Sequence, residues 1–312
     1  MRIKNSGKVL VTGGTGFIGR YLVEALLSER WSVLILINKT LFFTKSKSRS
    51  LQVIQADIND YEKMSTLVSQ VDFVCHLAAF IPPDHEDASV AGICVQNNAL
   101  ATLNLAQLAI KYGCSRFIMS SAGNCYVYSK DLVSEDAPLY PSARATYYLA
   151  SKMLGELYVD HLRQAKGLNS LILRISSPYG WGMPERSLIS RYMKLASQGL
   201  PLEVWDGGIT TYDYVYVSDV VKLILSALKS GDPGIYNVGS GCSCSILELA
   251  KTVKKTFLEK EIPIVVKPPI DSVPANFSAM SIEKARETWN YCPTSLENGL
   301  NQYRQYMETN KK

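Results

Sequence analysis

A phenol and an ammonium one helical turn apart can move a proton together. Tyr148 and Lys152 stand at i and i+4 in Tyr148-Leu149-Ala150-Ser151-Lys152, a spacing that puts both side chains on one helix face. Free tyrosine, with a pKa of ~10, is a poor base at neutral pH, and a neighbouring cation makes it a better one by favouring the phenolate. Such a pair suits removal of a hydroxyl proton as hydride leaves the same carbon, or the reverse. The spacing recurs at Tyr126 and Lys130. Context separates the two. Met153, Leu154, Leu157 and Tyr158 continue an apolar helical pattern beyond Tyr148, whereas Lys130 runs into the loop-like Asp131-Leu132-Val133-Ser134-Glu135-Asp136-Ala137-Pro138. A third group must polarise the reacting oxygen, and Ser120 and Ser121 close a predicted strand at the right end for it.

Hydride needs a carrier, and the N-terminal segment is built for one. Val9-Leu10-Val11-Thr12-Gly13-Gly14-Thr15-Gly16-Phe17-Ile18-Gly19-Arg20 follows an apolar strand and opens a helix, the setting in which a glycine series signals a dinucleotide. Gly13 permits the tight turn, Gly16 lets backbone N–H groups approach a pyrophosphate, and Gly19 lets the helix lie close to the strand. Phe17 and Ile18, in the first helical turn between them, are expected among the cofactor-binding residues. NAD-binding chains usually end the second strand in an acid that takes the ribose 2′-hydroxyl. Here that strand ends Leu36-Ile37-Asn38-Lys39. Without a carboxylate, and with Lys39 helped by Lys45, Lys47 or Arg49 toward a 2′-phosphate, the expected cofactor is NADP, with NAD second. The bland alternative is a polar strand end and a solvated basic loop.

The elements that position these residues alternate. Lys8 to Thr12, Ser32 to Ile37, Leu51 to Gln55, Asp72 to Leu77, Arg116 to Ser120 and Ser170 to Ile175 read as buried strands, since their apolar residues are consecutive. Phe17 to Arg30, Asn59 to Ser69, Gln96 to Tyr112 and Thr146 to Lys166 carry helical periodicity between them. Alternation of this kind implies right-handed crossovers and a parallel sheet covered on both faces, an α/β doubly wound fold. After residue 176, Pro178, Gly180, Gly182, Pro184 and further prolines and glycines indicate shorter elements on longer loops. The expected organisation is a dinucleotide-binding domain over 1–175 and a smaller substrate-binding α/β lobe over 176–312.

Composition excludes several other classes. A net charge of +5, with no basic run interleaved with aromatics, gives no nucleic-acid footprint. No stretch reaches the ~18 uninterrupted apolar residues of a membrane span, and the N-terminus lacks a signal core, so the expected location is cytoplasmic. Seven cysteines, mostly in apolar segments, argue against a disulfide framework, and three histidines with an isolated Cys242 and Cys244 offer no metal site.

Thr12 to Gly19, His76-Leu77-Ala78-Ala79, Ser120-Ser121, Tyr148-x-x-x-Lys152 with Glu156, Leu173-Arg174, Tyr179-Gly180, Asp213-Tyr214-Val215-Tyr216-Val217-x-Asp219-Val220 and Tyr236-Asn237-Val238-Gly239-Ser240-Gly241 form one series along the chain. On these motifs, over about residues 8 to 300, the chain resembles the extended short-chain dehydrogenases, specifically the sugar-nucleotide epimerase/dehydratase branch. The resemblance implies a Rossmann fold, a Ser121/Tyr148/Lys152 catalytic set, a C-terminal sugar-nucleotide lobe and a homodimer built from paired helices. It also implies that Asp57 and Ile58 flank the adenine, that Leu77, Ala78 and Ala79 border the cofactor, and that Asn98 and Lys152 help hold the nicotinamide half.

Five positions depart from the family pattern. Ala122 stands four residues before Tyr126, where the family has Ser or Thr, and a one-residue extension of the loop would restore Ser121. Gly123-Asn124 replaces the Asp-Glu pair of dehydratases, which argues against loss of water. Tyr212 replaces an arginine that clamps the nucleotide diphosphate, and Ser177 replaces an asparagine; Arg186 or Arg191 is the candidate substitute. The implied function is an epimerase or 4-ketoreductase of a nucleotide-linked sugar. A reductase of a non-sugar carbonyl compound and a non-catalytic dinucleotide-sensing protein are the alternatives, the second having no need of the Tyr/Lys pair.

Overall fold

The computed structural model describes residues 7–38, 49–140, 145–268 and 277–310. The main-sheet strands are β1 (Lys8–Thr12), β2 (Ser32–Ile37), β3 (Leu51–Gln55), β4 (Phe73–His76), β5 (Arg116–Ala122) and β6 (Ser170–Ile175). The helices among them are α1 (Phe17–Ser28), α2 (Tyr61–Val68), α3 (Ala91–Cys94), α4 (Ala101–Lys111) and α5 (Thr146–Lys166). Beyond them lie the short β7 (Ser177–Tyr179), β8 (Leu202–Val204), β9 (Thr211–Tyr212) and β10 (Tyr214–Tyr216), then β11 (Gly234–Val238), β12 (Cys244–Ser245) and β13 (Ile264–Val266). Helices α6 (Leu188–Ser197), α7 (Val217–Lys229), α8 (Ile246–Thr256), α9 (Glu283–Trp289) and α10 (Leu296–Thr309) complete the described chain.

One seven-stranded sheet organises the molecule, in the order β11-β6-β5-β4-β1-β2-β3, every pairing parallel. The doubly wound reading of the sequence therefore holds. Helices α2, α4 and α5 cover one face, over Leu10, Leu34, Val74, Phe117 and Met119; α1 and α7 cover the other, over Val9, Val11, Val33 and Ile118. Trp31 and Phe73 meet edge-on at 5.3 Å inside the second layer. β3 differs from its expectation as a buried strand: it ends the sheet, and Val53 is 43% exposed because no strand lies beyond it.

A cut after residue 175 does not follow the layers. α7 packs on α1, β11 pairs with β6, and Val220, Ile224, Leu228, Tyr236 and Val238 belong to the same core as β1. Arg116, at the start of β5, reinforces this by donating to the carbonyls of Ala227, Ser230 and Gly231 at the end of α7, where the helix leaves acceptors unpaired. The separate C-terminal core is smaller, built on α6, α8 and α10 around Tyr192, Leu249, Val253, Leu300 and Tyr303. It reaches the first layer through Arg20 and Tyr21, which donate to the carbonyls of Gly182 and Trp181. Among the described residues no helix is long and apolar enough to cross a membrane.

Candidate active site

The turn after β1 is set by steric contact. Gly13 has φ +72°, and a Cβ there would lie 2.6 Å from the Ala78 nitrogen and 2.8 Å from the Leu77 carbonyl carbon. Only a glycine lets the ends of β1 and β4 approach this way. Gly19 in turn presses its Cα onto the Gly13 carbonyl, so α1 lies against the turn. Gly16 donates to the Gly13 carbonyl at 2.9 Å and stands at the N-cap of α1 without a capping side chain. No acidic residue occupies the first turn. The amides around Phe17, Ile18 and Gly19 thus face an end of positive dipole with no built-in anion.

Behind this turn runs a buried polar chain. Ala78 N–H donates to Thr12 Oγ1 at 3.2 Å; that hydroxyl is 2.7 Å from His76 Nδ1; His76 Nε2 is 2.8 Å from Thr102 Oγ1, which donates to the Asn98 carbonyl at 2.7 Å. The chain fixes Leu77, Ala78 and Ala79 beside the glycine turn. Asn98 lies in a π-helical turn, Val95–Leu100, that interrupts the α3–α4 helix; such turns re-aim side chains. Its Oδ1 accepts the Phe80 N–H at 2.7 Å, and its Nδ2 donates to the Phe80 carbonyl at 3.0 Å and to Ser151 Oγ at 2.9 Å. Both amide hydrogens are therefore spent. Asn98 thereby braces the loop after β4 against α5.

The remaining cofactor expectations lie along the same carboxyl edge of the sheet. Asp57 is exposed after β3 and accepts from Asn59 through its backbone and its side chain. Ile58 is half-buried against the α2 layer. Asn38 is exposed directly after β2, its carbonyl accepting from Gln55. Lys39, with Lys45 and Lys47, lies outside the described residues.

Tyr148 and Lys152 share α5, one turn apart. Gly155 lets that helix settle close: a Cβ there would be 2.9 Å from the Asn98 carbonyl oxygen and 3.1 Å from Met119 Cε. Lys152 is 1% exposed, and its Nζ has no hydrogen-bond partner among the described residues. Burial pushes its ammonium down to about 8, against a smaller opposing pull from Glu156. Glu156 cannot fully serve it, because its carboxylate is held by Arg174 at 2.9 and 3.1 Å. The Tyr148 phenol is pushed well above its ordinary value, first by desolvation and then by the neighbouring Cys125 and Cys94. Ser121 is buried on β5, opposite Arg174 in register, with Oγ unpartnered among the described residues. Alternation from Met119 turns it toward α5. Ser120 faces the opposite way, its Oγ 3.4 Å from the His76 carbonyl.

Tyr126, the rival match, is occupied. Its hydroxyl donates to Asn237 Oδ1 at 2.6 Å and accepts from Arg174 Nη1 at 2.9 Å, and its backbone is extended, with Lys130 on an exposed loop. It holds β11 to the loop after β5. Asp213 and Asp219 also serve the fold, the first accepting from Ser240 and Met280, the second from Thr294. Tyr212 stacks on Tyr214 at 5.5 Å and meets Phe277, tilted by 32°, at 5.0 Å, so an aromatic wall stands there, while Arg186 and Arg191 are exposed. One ring at the site is missed by sequence reasoning: His85, 6.5 Å from Tyr148 between ring centroids. The Pro82-Pro83-Asp84-His85 run is its only local signal.

A dinucleotide fits what is present. The glycine turn offers backbone where a Cβ would block it, the α1 amides await an anion, and Lys152 Nζ and Ser121 Oγ are buried donors with no partner among the described residues.

Comparison with known proteins agrees with this geometry. A family model described as the NAD dependent epimerase/dehydratase family matches residues 9–239. The dTDP-4-dehydro-6-deoxyglucose reductase of Escherichia coli is 28% identical over 311 residues, covering 94% of this chain and 95% of that protein. The UDP-glucose 4-epimerase of Thermotoga maritima, solved with UDP-glucose, superposes with a TM-score of 0.85 at 27% identity, over 98% of this chain and 100% of that one. The UDP-glucose 4-epimerase of Thermus thermophilus, solved with NAD, gives 0.81 at 26% identity, over 97% and 99%.

Proposed function

We propose that this chain, which belongs to the NAD-dependent epimerase/dehydratase family, moves hydride at a carbon of a nucleotide-linked sugar, as an epimerase or a 4-ketoreductase. The observation that carries the proposal is the buried ammonium of Lys152, unpartnered among the described residues and one turn from Tyr148, at the sheet edge that also holds the uncapped α1. Burying an ammonium without a partner is unfavourable, and a purely structural lysine would be paired. Relatives act on or are solved with sugar nucleotides: dTDP-4-dehydro-6-deoxyglucose in one case, UDP-glucose in another.

In this reading the dinucleotide supplies or accepts the hydride. Tyr148 gives its phenolic proton to the sugar oxygen in reduction and takes it back in oxidation. Lys152 donates to a ribose hydroxyl and, as a cation, draws the raised phenol back toward neutrality. Ser121 donates from β5 to the same sugar oxygen, polarising the C–O bond. Asn98, Ser151 and the His76 chain keep these parts in register.

NAD dependence is the family's property, and one neighbour is solved with NAD. The finer reading, NADP first and NAD second, rests on Asn38 where an acid would select NAD. A homodimer belongs to the same proposal: Leu100 on the π-helical turn and Leu157 on α5 are 44% and 66% exposed, apolar side chains of the kind paired helices bury. The aromatic wall at Tyr212, in place of a cationic clamp, favours a second reading, reduction of a non-sugar carbonyl compound.

The deciding experiment incubates the full chain with NAD, NADH or NADPH against UDP-glucose, dTDP-glucose and their 4-keto derivatives, following absorbance and product configuration. Interconversion at one carbon, or reduction of a 4-keto sugar, is expected. Turnover of aryl or alkyl ketones alone supports the second reading, and no turnover of any of them overturns both.

A further inference from the structure

His85 stands over the proposed proton donor without a task in the mechanism above. Its ring is half-buried, tilted 54° to that of Tyr148 at 6.5 Å between centroids, and Nδ1 is buried with no partner among the described residues. A buried polar nitrogen without a partner is unfavourable until something bonds it. The loop that carries it is also held. Asn98 grips Phe80 at the loop's start by both backbone groups and reaches Ser151 Oγ, which donates to the Tyr148 carbonyl at 2.7 Å. Loop and helix are thus tied through these side chains, and Pro82 and Pro83 restrict the chain just before His85. The relation between the two rings is set by the fold.

The acids of its own loop leave the ring unbonded: Asp84 accepts the Glu86 N–H at 2.9 Å, Asp87 accepts from the Ser89 N–H and hydroxyl, and Asp84, Glu86 and Asp87 are exposed.

We propose that His85 is a substrate-contacting residue: its imidazole bonds a hydroxyl of the hexose seated against Tyr148. The proposal rests on the nucleotide-sugar reading above and adds a residue to it. A ring hydroxyl can both donate and accept, so it satisfies either imidazole tautomer.

Calorimetric titration of the full chain, loaded with NADH, tests it with three probes: UDP, dTDP and UDP-glucose. His85→Phe, which keeps a ring on Tyr148, should weaken UDP-glucose about tenfold while leaving UDP and NADH affinity within twofold; His85→Asn, which restores a polar group near Nδ1, should recover most of the loss. Unchanged UDP-glucose affinity in His85→Phe, or equal loss of UDP, overturns the inference while nucleotide-sugar binding stands. Failure of the wild-type chain to bind any of the three overturns the nucleotide-sugar reading, and this inference with it.

Discussion

His76 meets Thr12 as an acceptor, and one tautomer alone satisfies the contact. Thr102 spends its hydroxyl proton on the Asn98 carbonyl, so it must accept from His76 Nε2–H; Nδ1 is then bare and takes the Thr12 proton at 2.7 Å. A second proton on this imidazole could be taken only by turning the Thr12 hydroxyl proton away from Nδ1. Burial, and after it the nearby Lys152, holds His76 down to about 3.

Acid should therefore weaken the fold through this residue. The unfolded chain takes up a proton at ~6.5 and the folded one does not until about 3, so stability falls as pH drops across that window. Relative to pH 8, the loss at pH 5 amounts to about 2 kcal/mol from His76. Denaturant unfolding at pH 8, 6 and 5 measures it. His76→Asn should be less stable at pH 8 yet flatter with pH, and parallel pH profiles for the two proteins would refute the assignment.

Lys152→Met should stabilise the protein without cofactor while ending turnover. Below pH 8 the ammonium is charged in both states, so the folded state bears the full burial cost, relieved only as pH rises through about 8 toward the unfolded value of ~10.4. That cost is about 3 kcal/mol at most. Thermal unfolding at pH 7 reads it directly. A fall in Tm would mean that Lys152 has a structural partner.

Tyr148→Phe should retain the fold and lose turnover by about a hundredfold or more, since it removes only the transferable proton. Tyr126→Phe should do the reverse. It strips a donor from Asn237 and an acceptor from Arg174, costing about 1–3 kcal/mol of stability while turnover falls far less. Comparable loss of turnover in the two variants would leave the choice between the tyrosines wrong.

Cofactor choice is measured by titrating NAD and NADP into wild type, Asn38→Asp and Lys39→Ala. A 2′-phosphate near an exposed cation gains about 1 kcal/mol, so NADP should be favoured about five- to tenfold. Asn38→Asp should invert the preference and Lys39→Ala should weaken NADP alone. Wild-type binding of NAD as tight as that of NADP removes the NADP reading.

Leu157→Arg should convert a dimer to a monomer, because 66% of that apolar residue faces solvent in the isolated chain and a charge there opposes burial against a second copy. Light scattering at micromolar concentration decides it; a monomeric wild type ends the dimer proposal.

What can be read from sequence is chemistry confined to a few consecutive residues. The glycine turn and the Tyr148–Lys152 pair are each complete within one helix or one strand and turn, so their spacing states their geometry. Tyr126 and Asn237 are 111 residues apart, and no local pattern reveals that the first is held by the second. The grip of Asn98 on Phe80 is hidden from the sequence because its helix reads as regular. The π-helical turn that points it at Phe80 adds one residue to a backbone period without disturbing the apolar pattern. β3 looks buried since its composition matches that of interior strands, and only the sheet order puts it at the rim. His85 lies in a proline-rich loop whose course depends on Asn98 gripping Phe80.

The return of α7 and β11 to the main sheet bears on how the chain is made. When residue 175 leaves the ribosome, six strands are available but β6 has an open edge and Val9, Val11, Val33 and Ile118 have no α7 above them. An apolar face and an unpaired strand edge are what nascent chains aggregate through. The glycine turn and the Tyr148–Lys152 helix are synthesised before residue 238, yet the layer beneath them closes only after it. Expression of residues 1–175 alone should therefore yield insoluble protein, and extension to the end of β11 should mark the length at which a chaperone lets go.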